Sequence, residues 1–294
     1  MRFTKMHGAG NDFVVLDAEE KPLGIALEDL PGLVYRLCDR HTGVGADGVM
    51  VLQASATGAD VAMRFYNSDG SLGEMCGNGA RCVCRYACER GYADDTVRVE
   101  TTAGLVTGWR QSRDRFRIRL NTPTVLETER VLTLDGETYC CGYAELGNPG
   151  IPHLTVEIPD LLLRIDDEEA LGALRMLGRK LRYHPALPKG ANVNFYQVTG
   201  PQHLRQLTYE RGVEDFTLAC GTGAGSLAAV LTASGRMDGA NVQVQTAGGD
   251  LDVEVEMEAG RVENLYLTGA ALIVYSGELA EEFLQPVVIE DIMD

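Results

Sequence analysis

The sequence predicts an α+β fold built from two homologous domains. Three observations carry this. The β-forming runs are short and bounded by Gly, Asp or Asn. Long helical patterns are few, which disfavours a doubly wound sheet. One block of sequence recurs at a fixed offset. In chain order, strands are expected at 11–16 (NDFVVL), 48–52 (GVMVL), 61–66 (VAMRFY), 96–100 (TVRVE) and 116–120 (FRIRL), then at 192–198 (NVNFYQV), 241–245 (NVQVQ), 251–255 (LDVEV) and 271–275 (ALIVY). Many alternate with the period of two that half-buried strands show. Helices are expected at about 77–90 and 221–234, with an amphipathic surface helix at 166–181.

The repeat relates positions 144 residues apart. Cys76, Gly77, Gly79, Ala80, Gly91 and Thr102-Ala103-Gly104 match Cys220, Gly221, Gly223, Ala224, Gly235 and Thr246-Ala247-Gly248 without a gap. Each copy reads as a Cys-Gly-x-Gly-Ala loop, a helix ending near a glycine, and a strand ending in Thr-Ala-Gly. The domains are placed at 1–120 and 121–265, with the break near Asn121-Thr122-Pro123. Residues 266–294 are expected to complete the first domain.

Composition narrows the function classes. The 294 residues are 45% hydrophobic and 23% charged, which suits a globular chain. With 43 acids against 26 bases the net charge is -17, so nucleic acid and anionic membranes are poor partners. No apolar run approaches the ~18–20 residues of a membrane span, and the N-terminal MRFTKMHGAGNDF has no apolar signal core. A cytoplasmic location is expected, with the eight cysteines mostly reduced. Cys84 and Cys88 stand four apart on one helix face, but no CxxC or HxxxH accompanies them, so no metal site is expected. Cys82, Cys84 and Cys88 read as helix-core thiols, and Cys140-Cys141 receive no role. Residues 43–48 (GVGADG) lack the Lys-[Ser/Thr] of a P-loop.

The Cys-Gly-x-Gly-Ala element carries chemistry. Its glycines let the backbone approach a ligand closely, and the helix that follows offers unpaired N–H groups to an anion. The same donors favour a thiolate, so each cysteine is expected to titrate well below its ordinary ~8.5. Taken singly, such a loop also suits a tight turn with a cysteine as core filler. Two copies facing each other would set two thiols on opposite sides of one small ligand. That arrangement suits proton removal from one face of a carbon acid and delivery to the other, supported electrostatically by two helix starts.

The chain resembles the diaminopimelate epimerases, of the pyridoxal-independent amino-acid racemase family. The resemblance rests on Met6-His7-Gly8-Ala9-Gly10-Asn11-Asp12-Phe13, on Asp39-Arg40-His41-Thr42-Gly43-Val44-Gly45-Ala46-Asp47 and on Tyr66-Asn67-Ser68-Asp69-Gly70-Ser71. It continues through Met75-Cys76-Gly77-Asn78-Gly79-Ala80-Arg81-Cys82, Gly147-Asn148-Pro149, Asn192-Val193-Asn194-Phe195, Tyr209-Glu210-Arg211-Gly212 and Ala219-Cys220-Gly221-Thr222-Gly223-Ala224. It implies two pseudo-symmetric α/β domains, each a sheet wrapped on a central helix, with the site in the cleft between them. Cys76 and Cys220 would be the acid/base pair. Gly77, Asn78, Gly221 and Thr222 would hold the α-carboxylate. Asn11, Asn67, Asn148, Asn192 and Arg211 would grip the distal end of the diamino diacid, and Glu210 would hold the α-ammonium. Each asparagine also suits ordinary turn chemistry.

Two segments depart from the family pattern. Gly147-Asn148-Pro149 is followed by Gly150, so His153 comes three residues later than the family's histidine and is expected to replace it. The stretch before Cys220 is one residue longer and carries Phe216 where a polar residue is usual. Both are expected to lie near the substrate. The implied reaction is inversion of LL- to meso-diaminopimelate without cofactor. The other readings are a racemase of another amino acid such as histidine, a binding protein on the same scaffold, or a metal enzyme. The expected partner is a small amino acid, and the assembly is left open between monomer and homodimer.

Overall fold

The computed structural model describes residues 1–26, 28–73 and 76–285. Met75, and the part of the expected returning segment 266–294 beyond Gln285, lie outside the described residues. The first half of the chain forms β1 (Arg2–Gly8), β2 (Asn11–Asp17), α1 (Leu30–Cys38), β3 (Gly48–Gln53), β4 (Val61–Asn67), β5 (Leu72–Gly73), α2 (Gly77–Arg90), β6 (Thr96–Thr101), β7 (Gly104–Arg110) and β8 (Arg115–Leu120). The second forms β9 (Pro123–Leu134), β10 (Glu137–Leu146), β11 (Ile151–Glu157), α3 (Leu161–Ile165), α4 (Glu168–Arg182), β12 (Asn192–Gly200), β13 (His203–Glu210), β14 (Asp215–Thr217), α5 (Gly221–Ala233), β15 (Val242–Thr246), β16 (Gly249–Glu258) and β17 (Arg261–Ala270). Last come β18 (Leu272–Glu278) and α6 (Glu281–Leu284).

Strand pairing repeats as the sequence does. One run goes β18-β1-β2-β3-β4-β6-β7-β8, with β2·β3 and β4·β6 parallel. The other goes β9-β10-β11-β12-β13-β15-β16-β17, with β11·β12 and β13·β15 parallel. β5 and β14 hang on β4 and β13 in turn. The runs join through antiparallel β8·β17, where Leu120 faces Leu265. The result is a mixed α/β fold in which β9 crosses into the second run and β18 returns to pair with β1.

Helix composition explains placement. α5 reads GTGAGSLAAVLTA, small and apolar on every side, and is buried from Gly223 through Leu231. α2 is likewise buried from Gly77 to Ala87 and stops at Gly91, whose φ of 74° closes the C-terminus with N–H bonds to Ala87 and Cys88. One continuous core packs both helices, with Val83, Cys84 and Ala87 of α2 and Leu227, Ala228 and Leu231 of α5. The outer faces have their own cores. Leu33, Val34 and Leu37 of α1 meet Val49 and Val51, while Leu174 and Leu181 of α4 meet Val193 and Phe195.

The sequence reading missed several elements. α1 begins Leu-Pro-Gly, which obscures a short helix. β9 buries only Leu132 fully among its twelve residues and shows little apolar alternation. The amphipathic helix starts at Glu168, with Asp167 capping it through a 2.8 Å bond from the Ala170 N–H.

Candidate active site

The two repeated loops adopt matching backbones. Cys76 is the N-cap of α2, with φ/ψ of -128°/115°, and Cys220 the N-cap of α5, with -118°/104°. Their carbonyls accept the Ala80 and Ala224 N–H groups at 2.8 and 2.9 Å. The helix starts converge on Leu267 of β17. A Cβ at Gly77 would lie 3.7 Å from Leu267 Cδ2, and one at Gly221 2.7 Å from the same atom. The Asn78 amide spans the junction, donating to the Asn11 carbonyl oxygen at 2.6 Å and to the Ala219 backbone oxygen at 3.3 Å, next to Cys220.

The thiols titrate opposite to expectation. Burial pushes Cys76 up to about 11, although the Gly79 and Asn78 N–H groups pull it back. Burial also drives Cys220 upward, with the charges of Glu210 and Cys76 adding to it against the Thr222 hydroxyl and the Gly223 N–H. Helix-start donors are present at both sulfurs, but removal from water outweighs them.

Glu210 ends β13, half-buried, and accepts the Thr217 hydroxyl at 2.8 Å. Burial raises its own carboxyl, and its charge raises both thiols. Asn192 accepts the Arg211 backbone N–H at 2.7 Å, and the exposed Arg211 guanidinium donates to the Lys189 carbonyl at 3.3 Å. Asn148 and Thr222 line one cavity of about 230 Å³, together with Thr102 and Leu146. Asn67 is exposed at the end of β4 and donates to the Ser71 hydroxyl at 2.9 Å, within its own turn.

Several residues at the site carry no sequence-derived role. Arg81 is fully buried and donates to the Asn78 carbonyl oxygen at 2.8 Å, and its positive charge favours the Cys76 thiolate. Its one signal was a cation inside the Cys-Gly-x-Gly-Ala helix. Behind Asn11 lies an ionic cluster. Asp47 accepts from Asn11 at 3.3 Å, while Arg40 bridges Asp47 at 2.8 Å and Asp12 at 2.9 Å. Burial raises the Asp12 carboxyl, but Arg40 and Lys5 outweigh it and hold the group at about 2.

Of the two departures only Phe216 differs from expectation, since Asn148, Pro149 and Ile151 line the same cavity as Thr222. Phe216 turns away into the outer core, packing edge-on against Phe195 at 6.3 Å and Tyr209 at 6.1 Å. Gly150 makes room for Glu145, since a Cβ there would sit 2.6 Å from the Glu145 Cβ. Glu145 is held by Tyr143 and Lys189, each at 2.7 Å.

His153 is fully buried on β11, with Nδ1 3.3 Å from the Asn194 amide nitrogen. Burial, aided by the Arg211 charge, lowers its pKa to about 3. The folded state therefore keeps the ring neutral, while the unfolded chain takes up a proton below ~6.5. That contribution to stability is complete above the unfolded value and lost as pH falls toward 3. In urea titrations at pH 7 and pH 4, His153→Gln is expected to lose less stability over this interval than the parent. An equal loss would contradict it.

Cys82 and Cys84 are fully buried, and the Cys88 thiol donates to the Asp94 carbonyl at 2.8 Å. Among the described residues no group of three or more His, Cys, Asp or Glu is arranged to hold a metal, and no helix is long and apolar enough to cross a membrane.

Paired half-sheets wrapped on two helices, with the helix starts meeting, are an architecture this chain shares with several solved structures. A probable proline racemase from Agrobacterium radiobacter K84 superposes with TM-score 0.69 at 20% identity, over 95% of this chain and 93% of its own. A methylitaconate-delta-isomerase superposes with TM-score 0.67 at 14% identity, over 99% of both chains. At such identities the likeness is one of fold. The sequence model of the family described as Diaminopimelate epimerase matches residues 3–124 and 147–274. The Aquifex aeolicus diaminopimelate epimerase is 38% identical over 97% of this chain and 100% of its own, and that of Archaeoglobus fulgidus 39% over 94% and 95%. The chain belongs to the diaminopimelate epimerase family, and it is an isomerase.

Proposed function

We propose that this chain inverts one Cα of LL-diaminopimelate to give the meso form, a step of lysine biosynthesis, with Cys76 and Cys220 as the acid/base pair. The observation that supports it most is the meeting of two cysteine-capped helix starts over Leu267, with Glu210 acting on both thiols. Each half, residues 1–120 with 266–294 and residues 121–265, contributes one cysteine.

The α-carboxylate sits against the N–H groups at Gly77, Asn78, Gly221 and Thr222. The α-ammonium faces Glu210 and offsets its negative charge, which adds to burial in holding both thiols protonated, so as the site fills one thiol gives up its proton to solvent and becomes a thiolate. That thiolate takes the Cα proton from one face while the opposite thiol delivers its own to the other, and the pair ends with its protons exchanged. Asn11, Asn67, Asn148, Asn192 and Arg211 hold the distal end, Arg211 as a fork on the far carboxylate. His153 supports the reacting groups.

The test is deuterium wash-in. In D₂O the protein is expected to convert LL-diaminopimelate to the meso form, with deuterium at the inverted Cα. Exchange in another amino acid but none in diaminopimelate would make the protein a different racemase. Binding without exchange would make it a binder.

A further inference from the structure

The face of the sheet beneath α5 differs in kind from that beneath α2. In the first half Phe13 and Val15 of β2, Met50 of β3, and Met63 and Phe65 of β4 pack under α2. Strand register identifies the matching stations. Met50 pairs with Phe65 as Asn194 pairs with Thr208. Leu52 pairs with Met63 as Tyr196 pairs with Gln206. Phe13 pairs with Gly48 as His153 pairs with Asn192. An apolar layer in one half is thus a polar layer in the other, made of His153, Thr155, Asn194, Gln206 and Thr208, none more than 2% exposed. Buried polar groups are costly unless they bond one another.

Asn194 is the hub. Its Oδ1 accepts from Gln206 Nε2 and from the Thr208 hydroxyl, each at 3.0 Å. Its Nδ2 donates to the Leu154 carbonyl at 3.1 Å and lies 3.3 Å from His153 Nδ1. The Leu154 carbonyl accepts only, so it fixes which end of the amide is nitrogen. The second Nδ2 proton lies between Nδ1 and the Asn192 carbonyl, 3.4 Å away, and because an amide nitrogen accepts nothing, a proton on Nδ1 would have no acceptor there, so Nδ1 carries the lone pair. A neutral ring with a bare Nδ1 has its proton on Nε2, and Nε2 is buried with no partner among the described residues.

We propose that Asn194, braced by Gln206 and Thr208, is a positioning residue that locks His153 in the Nε2–H tautomer, so that His153 serves the site as a hydrogen-bond donor and not as a proton-abstracting base. This rests on the proposed supporting role of His153. The same amide lies under the Cys220 loop, because a Cβ at Gly223 would stand 2.2 Å from Asn194 Oδ1. One side chain therefore sets both the imidazole and the turn whose N–H faces the second thiol.

Nitrogen-15 NMR of the full-length protein at pH 7, labelled at histidine, reads the tautomer directly, with His153→Gln assigning the signal among five histidines. The expected spectrum shows a protonated Nε2 and a bare Nδ1. A proton on Nδ1, or on both nitrogens, would overturn the proposal. Asn194→Asp places a carboxylate acceptor at Nδ1 and is expected to draw a proton there. Epimerisation should then fall by about tenfold or more, with KM little changed. An unaltered Nε2–H signal in that variant would also overturn it. If the variant does not fold, the parent spectrum decides alone. The spectrum needs no turnover, so absence of diaminopimelate exchange would sink the proposed reaction and leave the tautomer standing.

Discussion

Replacing either Cys76 or Cys220 by alanine is expected to lower epimerisation by roughly 10²–10⁴-fold, the usual worth of a positioned acid or base. The two losses should differ in kind. Each cysteine serves one face of Cα, so a variant that keeps one thiol can still remove the proton that points at it. Cys76→Ala should therefore exchange the α-proton of one epimer without inversion, and Cys220→Ala that of the other. Proton NMR in D₂O, starting separately from the LL and meso forms, follows both. Loss of exchange from both epimers in one variant, with none in the other, would mean that only one cysteine does chemistry. Full activity in either would remove the two-thiol mechanism.

The second large effect is a difference between equivalent glycines. A Cβ at Gly79 would meet Met50 Cε at 2.2 Å, and a Cβ at Gly223 would meet Asn194 Oδ1 at 2.2 Å and Gln206 Nε2 at 2.9 Å. The distances match, but the neighbours do not yield equally. A methionine terminus swings aside at small cost, whereas Asn194 is tied into its buried polar layer and cannot shift without leaving polar atoms unpaired. Gly223→Ala should cost about 2–3 kcal/mol and most of the activity, against about 1 kcal/mol for Gly79→Ala. Any gain in helix propensity from glycine to alanine is common to both and cancels in the comparison. Urea midpoints of the two variants measure this. Equal losses would mean that the polar layer is as pliable as the apolar one.

Much of the architecture was legible because it is written locally. The loop-helix repeat shows in the spacing of glycines, since Gly91 and Gly235 close their helices at φ of 74° and 72°, where other residues are strained. Strands that alternate with period two were found, whereas β9 and the Pro-containing α1 were not, because their patterns are weak over short windows. Phe216 was misplaced for a different reason. Nothing within the stretch 210–217 says that α4 covers that face, yet Arg175 stacks over the ring at 5.5 Å and Phe195 and Tyr209 flank it.

By itself the sequence determined that two like elements exist, each a cysteine at the start of a glycine-rich helix, because turn and cap conformations depend on residues a few positions apart. Only the tertiary structure decided that the two starts meet over Leu267, that Asn78 reaches across to the Ala219 carbonyl, and that both thiols rise in pKa where the helix starts alone would lower them. The physical reason is solvent. Desolvation depends on everything the chain brings from afar to cover a group, and at these sulfurs it outweighs the local dipoles.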